Sequence, residues 1–193
     1  MKIILASQSP RRRELLERMG LEQFEIRPAA GEENASPDCS PAQLVEELSI
    51  QKAAEIAQTA DAEDVIIAAD TVVAADGRVL GKPRSRNEAA EMLRFLSGRT
   101  HTVYTGVTVR RNDTVLTQHE ATDVLFRPLS EAEIAAYVDT NEPMDKAGAY
   151  GIQGRGCVLV EGIRGDYYNV MGLPVCRLAL MLRQFGIEPL ARR

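Results

Sequence analysis

Apolar residues in this chain fall into two patterns, short continuous runs and stripes at helical spacing, and their order predicts an α/β protein. Residues 2–6 (KIILA) predict a short buried strand. Ser7-Gln8-Ser9 turns it straight into a helix with Ser9 as N-cap and Pro10 at the first position. Leu15, Leu16 and Met19 form that helix's apolar face, Glu14 and Arg18 pair on its outside, and Gly20 closes it. A second strand is predicted over 24–27, and Ser40, Pro41 and Gln43 open a helix that runs to about Gln58 on a capping box. Residues 65–69 (VIIAA) have the length and continuity of a strand buried on both faces. After Asp70 the apolar character resumes at Val72 and Val73, and Asp76-Gly77 predicts a hairpin returning through Val79 and Leu80. Ser85 and Glu88 cap a helix carrying Met92, Leu93, Phe95 and Leu96, ended by Gly98. Strands are predicted over 102–109, 114–118 and 121–126, then a helix capped by Ser130 and Glu133 that reaches about Asp139, and a strand over 157–163. A polar aromatic turn at 166–169 precedes a last amphipathic helix, with Pro174 at its start and Leu178, Met181, Leu182 and Phe185 on its apolar face.

With 193 residues, 45% of them hydrophobic and 26% charged, the chain can bury a full core. The expectation is a single domain over 1–193, built as one body or as two small lobes sharing a cleft. No apolar run approaches the roughly 20 residues of a membrane span, and no signal-peptide pattern precedes the arginines, so a cytoplasmic protein with no membrane partner is expected. A net charge of −5 argues against nucleic acid as a partner. Cys39, Cys157 and Cys176 are odd in number and widely spaced, which suggests neither a disulfide framework nor a zinc site. The two histidines, His101 and His119, lie in no metal-binding helix motif, so a metal would be held by oxygen ligands, as Mg²⁺ or Mn²⁺ are.

Several polar residues break these patterns. Arg11, Arg12 and Arg13 stand in the first turn of a helix, where the macrodipole disfavours cations. An anion bound by the free N–H groups, the Ser7 and Ser9 hydroxyls and the guanidinium forks removes the conflict. The alternative is a solvated basic turn with Arg13 paired to Glu17. Lys52 falls within the apolar stripe of Val45, Leu48 and Ile56, so it either snorkels to the edge or meets an anion or carboxylate in a cleft. Asp70 interrupts a buried strand and requires a hydrogen bond, a cation or a metal, which makes it the chain's best candidate for a general base or metal ligand. Residues 77–83 (GRVLGKP) are one residue short of a P-loop and put Pro83 where Ser or Thr would hold Mg²⁺; Lys82 remains a possible phosphate contact. Residues 145–156 (DKAGAYGIQGRG) mix four glycines with Asp145, Lys146 and Gln153, a density that admits close approach to a ligand or a plain flexible loop. Several cations, few carboxylates and no nucleophile elbow point to a phosphorylated small molecule and its hydrolysis by water.

Residues 5–12 (LASQSPRR), 69–73 (ADTVV) with Gly81-Lys82-Pro83, 96–99 (LSGR) with His101, 145–154 and 166–174 (DYYNVMGLP) together resemble the Maf-like nucleotide pyrophosphatases over nearly the whole chain. The resemblance implies an elongated Maf/ITPase-like α/β fold, a mixed sheet with flanking helices and a central cleft between two lobes. It also implies a homodimer and metal-dependent cleavage of a nucleoside triphosphate between its α and β phosphates. By motif position Asp70 matches the proton acceptor. Arg11, Thr71 and Gln153 match positions of substrate choice, in the combination of the branch that prefers dTTP and UTP. Ser7, Arg12, Glu33, Lys52 and Lys82 match polar cleft residues, and Glu33 and Asp70 would hold the cation. Glu32 departs from the aspartate that many members carry before Glu33. The alternative is a nucleotide-binding regulator of cell division and septum formation with little turnover.

Overall fold

Three long strands carry the architecture. In the computed structural model, which describes residues 1–31, 35–36 and 39–190, β3 (Val65–Ala75), β5 (Thr100–Arg111) and β6 (Thr114–Phe126) are 11, 12 and 13 residues long. Shorter strands complete the sheet: β1 (Ile3–Leu5), β2 (Glu25–Ile26), β4 (Arg78–Leu80) and β7 (Val160–Arg164). The order is β2-β1-β3-β5-β6-β7, with β4 paired to β3. β1 runs parallel to β2 and β3, whereas β3–β4 and β6–β7 are antiparallel, so the sheet is mixed as expected. Among the described residues six α-helices accompany it: α1 (Pro10–Arg18), α2 (Pro41–Ala57), α3 (Arg86–Leu96), α4 (Glu131–Asp139), α5 (Tyr167–Met171) and α6 (Val175–Arg183). Among the described residues no helix is long and apolar enough to cross a membrane.

The chain divides into two compact units. The first comprises Met1–Asp70, Thr105–Glu120 and Gly172–Arg193. One face of its sheet buries Ile4, Ala6, Ile66 and Ala68 against Ala53 and Ile56 of α2. That helix is held tightly: a Cβ on Gly106 of β5 would stand 2.2 Å from the Val45 carbonyl oxygen, so only glycine fits there. A chain of hydroxyls ties the same elements, Ser49 Oγ donating to the Glu46 carbonyl (2.9 Å) and meeting Thr108 (2.8 Å), which meets Thr117 (2.9 Å). The second unit comprises Thr71–Tyr104 and Ala121–Met171. Its core includes Leu93 and Leu96 of α3, Ile134 and Val138 of α4, and edge-to-face rings of His101, Phe126 and Tyr150 with centroids 4.7–5.3 Å apart.

Capping boxes at Ser40 and Ser130 form as predicted, and the Asp76-Gly77 turn takes the two positive φ angles its hairpin needs. Among the boundaries that differ from the sequence reading, four have a visible cause. The strands expected over 114–118 and 121–126 are one strand, because Gln118, His119 and Glu120 find partners without leaving it: Arg177 donates to Gln118 and Glu120, and His119 meets Glu46. The strand expected over 157–163 starts only at Val160; Arg155–Leu159 is a 3₁₀ turn closed by Cys157 N–H on the Gly154 carbonyl. The turn at 166–169 is the start of α5, where Asp166 Oδ1 accepts from Tyr168 N–H (2.8 Å) and Asn169 donates to the Val103 carbonyl (3.0 Å) and Thr122 Oγ1 (3.0 Å). Pro174 stands at the N-cap of α6, one position before the first turn.

Candidate functional site

The pleat of β3 determines where Asp70 goes. Side chains at i, i+2 and i+4 of a strand share a face, so Ile66, Ala68 and Asp70 form one row. The first two are core residues packed with α2, and Asp70 continues their row where the fully buried run ends. On α2 the spacing of four aligns Leu48, Lys52 and Ile56 on the face that meets this row. The Lys52 stem therefore lies along apolar neighbours and its Nζ donates to Asp70 Oδ1 at 2.5 Å. The side chains retain only 18% and 13% of their exposure, so each charge is largely withdrawn from water and held by the other. Both pattern-breaking residues thus explain one another.

The three arginines of α1 separate into different environments. Arg12 turns inward: Nε donates to the Gly172 carbonyl (2.8 Å), and Nη1 to Ser7 Oγ (3.1 Å) and the Ala69 carbonyl (2.8 Å). It is fixed against the residue that precedes Asp70. Arg13 pairs with Glu17 at 2.9 Å, both about half exposed, which is the solvated pair anticipated as an alternative. Arg11 is partly buried in the first turn between Pro10 and Arg12. Ser9 has N-cap backbone geometry, yet its side chain caps nothing; Ser7 Oγ instead accepts the Ser9 N–H at 3.2 Å, and no acidic residue occupies the first turn. This helix end therefore keeps the positive potential that suits an anion.

Thr71, Lys82 and Gln153 belong to the second unit. By the alternation of β3, Thr71 faces away from Asp70. Lys82 is exposed just after β4, and the preceding Gly81 carbonyl accepts the Gly148 N–H at 3.0 Å, which joins this segment to the glycine-rich stretch. Gly148 has φ +68°, and its absent Cβ would lie 2.8 Å from Val73 Cγ2, so glycine is required twice over. Gln153 is exposed in the same stretch, between the buried Ile152 and the half-buried Gly154. Glu33, the second expected carboxylate, lies outside the described residues. Among the described residues no group of three or more His, Cys, Asp or Glu side chains is placed to hold a metal ion. A single carboxylate remains compatible with Mg²⁺, which is commonly held by one or two carboxylates with substrate phosphates and water.

One polar group escaped the sequence reading, and a second was named there without a partner. Glu142 accepts from Tyr137 OH (2.8 Å) and from the N–H groups of Arg155 (2.9 Å) and Gly156 (3.1 Å). The only forewarning was the density of glycines that follows it. His101, 2% exposed, meets Tyr150 OH at 2.8 Å through Nε2, and burial, opposed by the charge of Asp123, pushes it down to about 4.

Comparison with known proteins agrees with this architecture. Residues 2–185 match the family model described as Maf-like protein. The dTTP/UTP pyrophosphatases of Bacillus anthracis (strain CDC 684 / NRRL 3495) and Bacillus cereus (strain AH820) are each 50% identical over 187 residues, covering 97% of this chain and 97% of theirs. Among solved structures a HAM1 protein from Coxiella burnetii superposes with a TM-score of 0.53 at 18% identity, over 95% of this chain and 99% of that one, which is a likeness of fold. With a family model spanning nearly all of the sequence and relatives at half identity over the same length, the chain belongs to the Maf-like protein family.

Proposed function

We propose that this protein hydrolyses dTTP and UTP between the α and β phosphates, releasing the nucleoside monophosphate and pyrophosphate. The observation that carries the reading is the Asp70 carboxylate, set by a core strand, ion-paired to Lys52 and adjoining the carbonyl on which Arg12 is anchored. The names of the Bacillus relatives supply the substrate class. A water oxygen attacks the α-phosphorus, its proton passes to Asp70, and the bond from phosphorus to the α,β-bridging oxygen breaks with its electron pair leaving on pyrophosphate. Lys52 fixes the Asp70 carboxylate through their ion pair and, with Arg11, Arg12, Ser7 and Lys82, meets charge on the phosphates. Asp70 and Glu33 would hold Mg²⁺ or Mn²⁺, a cation that neutralises charge on the triphosphate when bound. Thr71 and Gln153 select the base, Gln153 through an amide that pairs with a pyrimidine edge. The same family reading includes a cytoplasmic location and a homodimer, the latter tested by sedimentation of the purified protein.

The decisive experiment is pyrophosphate release from dTTP, UTP, CTP, ATP, GTP and 7-methyl-GTP with Mg²⁺, for wild type and Asp70→Asn, with and without EDTA. Selective cleavage of dTTP and UTP that vanishes in Asp70→Asn and in EDTA is expected. Nucleotides that bind yet survive intact would replace this reading with that of a nucleotide-binding regulator.

A further inference from the structure

The segment that bears Gln153 is not a free loop; it is moulded around one carboxylate. Glu142, in a 3₁₀ turn (Glu142–Asp145) after α4, takes Gly156 N–H and Tyr137 OH on Oε1 and Arg155 N–H on Oε2. Tyr137 OH in turn accepts the Gly151 N–H at 3.0 Å. Between these anchors Gly154 N–H closes on the Gly151 carbonyl (3.3 Å), forming a four-residue turn with Ile152 directed into the core and Gln153 outward. The glycines mark where the mould touches the chain. A Cβ on Gly154 would lie 2.5 Å from Glu142 Oε1, and one on Gly156 would lie 2.7 Å from Tyr137 OH. Lys146 completes the support, donating to the Glu142 carbonyl (2.7 Å) and Asp145 (2.6 Å). Burial pushes the Glu142 carboxyl up, but the Arg155 and Gly156 N–H groups, Tyr137 OH and the Lys146 charge outweigh it and hold it below the usual carboxylate range. The group is therefore an anion while it holds these donors.

We infer that Glu142, through Tyr137, is the positioning residue that aims Gln153, and that it thereby determines discrimination among nucleotide bases without touching the nucleotide. The inference rests on the reading of Gln153 as a base-recognition residue. In Glu142→Gln the side chain keeps its size, but one acceptor oxygen becomes an NH₂ that repels a backbone N–H. One of the Arg155 and Gly156 N–H groups then loses its acceptor, the bonds that remain, including the one that holds Tyr137 OH beneath Gly151 N–H, are no longer charge-assisted, and Gln153 is no longer presented in one orientation.

The test compares wild type, Glu142→Gln, Tyr137→Phe and Gln153→Ala for kcat/KM on dTTP and on CTP. Inhibition by inorganic tripolyphosphate, which has no base, and amide exchange at Gly151, Arg155 and Gly156 are measured alongside. Glu142→Gln is expected to lower the dTTP:CTP ratio about tenfold, approaching Gln153→Ala, because lost polar pairing is what erodes such selectivity. The inhibition constant for tripolyphosphate stays within about twofold and the three amides exchange faster. Tyr137→Phe gives a smaller fall of about threefold, and it carries the test by itself if Glu142→Gln does not fold. A ratio unchanged in Glu142→Gln or, failing that, in Tyr137→Phe, while Gln153→Ala lowers it, overturns the positioning role alone. A ratio unchanged in Gln153→Ala overturns the base-recognition reading and this inference with it, whereas a wild type inert on every nucleotide removes the hydrolase itself.

Discussion

Replacing Lys52 by Met keeps the aliphatic stem and removes the charge, leaving Asp70 with 13% exposure and no ammonium at 2.5 Å. At that separation and an effective dielectric near 20, the gross attraction is roughly 7 kcal/mol, much of it offset by the desolvation of both groups. Breaking one side of a buried pair costs about 3–5 kcal/mol, and residual water access at Asp70 reduces this to about 2–4 kcal/mol. In a chain of this size each kcal/mol moves the melting temperature by about 2–4 °C, so Lys52→Met should melt roughly 5–15 °C below wild type. The informative variant is the double replacement Lys52→Met with Asp70→Asn, which removes both charges and should recover most of the lost stability while remaining inactive. Differential scanning calorimetry of the four proteins gives the coupling directly. A coupling of at least about 1.5 kcal/mol is expected. A value below about 0.5 kcal/mol, with the two effects simply additive, would show that the pair behaves like an exposed surface bridge and would refute its description as a buried one.

Three further outcomes follow from other parts of the structure. Gly106→Ala places a methyl 2.2 Å from the Val45 carbonyl oxygen, so thermal denaturation should show a loss of about 3 kcal/mol or more from overpacking; a loss below 1 kcal/mol would mean that α2 shifts freely. His101 titrates near 4 when folded and near 6.5 when unfolded, so the unfolded chain takes up the proton first. The stability contributed by neutral His101 is whole above pH 6.5 and declines by about 3 kcal/mol as pH falls to about 4; a pH series of urea melts should show the decline, and His101→Leu with Tyr150→Phe should flatten it. Arg12→Lys cannot reach the Gly172 carbonyl, Ser7 Oγ and the Ala69 carbonyl together, and should cost about 2–4 kcal/mol in calorimetry, with a lower kcat on dTTP; unaltered melting would show the fork to be dispensable.

Much of this was legible in the sequence where local chemistry decides the outcome. A serine with a glutamine or glutamate three residues later located the starts of α2 and α4, and Asp76-Gly77 located its hairpin. Lys52 and Asp70 were visible because each violates an apolar pattern at a position where violation must be compensated, and they compensate each other. What stayed hidden depends on partners distant in sequence. His119 and Glu120 read as a break because their partners, Glu46 and Arg177, lie in other elements. Cys157-Val158-Leu159 read as a strand because nothing local reveals that the preceding amides are held by Glu142. The same long reach concealed Glu142 itself, whose neighbours in sequence give it no distinction, and it concealed the inward turn of Arg12 onto a carbonyl 160 residues away.

The proposed base sits within an eleven-residue strand, in line with core residues, and not on a loop. Loops commonly loosen before the scaffold that carries them, so an enzyme with a loop-borne base fades on warming while its spectrum still looks native. Here the carboxylate can depart only when the ladder of β3 does. Heat inactivation of this protein should therefore coincide with its melting curve, and its working life at a given temperature should be set by the rate at which the sheet opens.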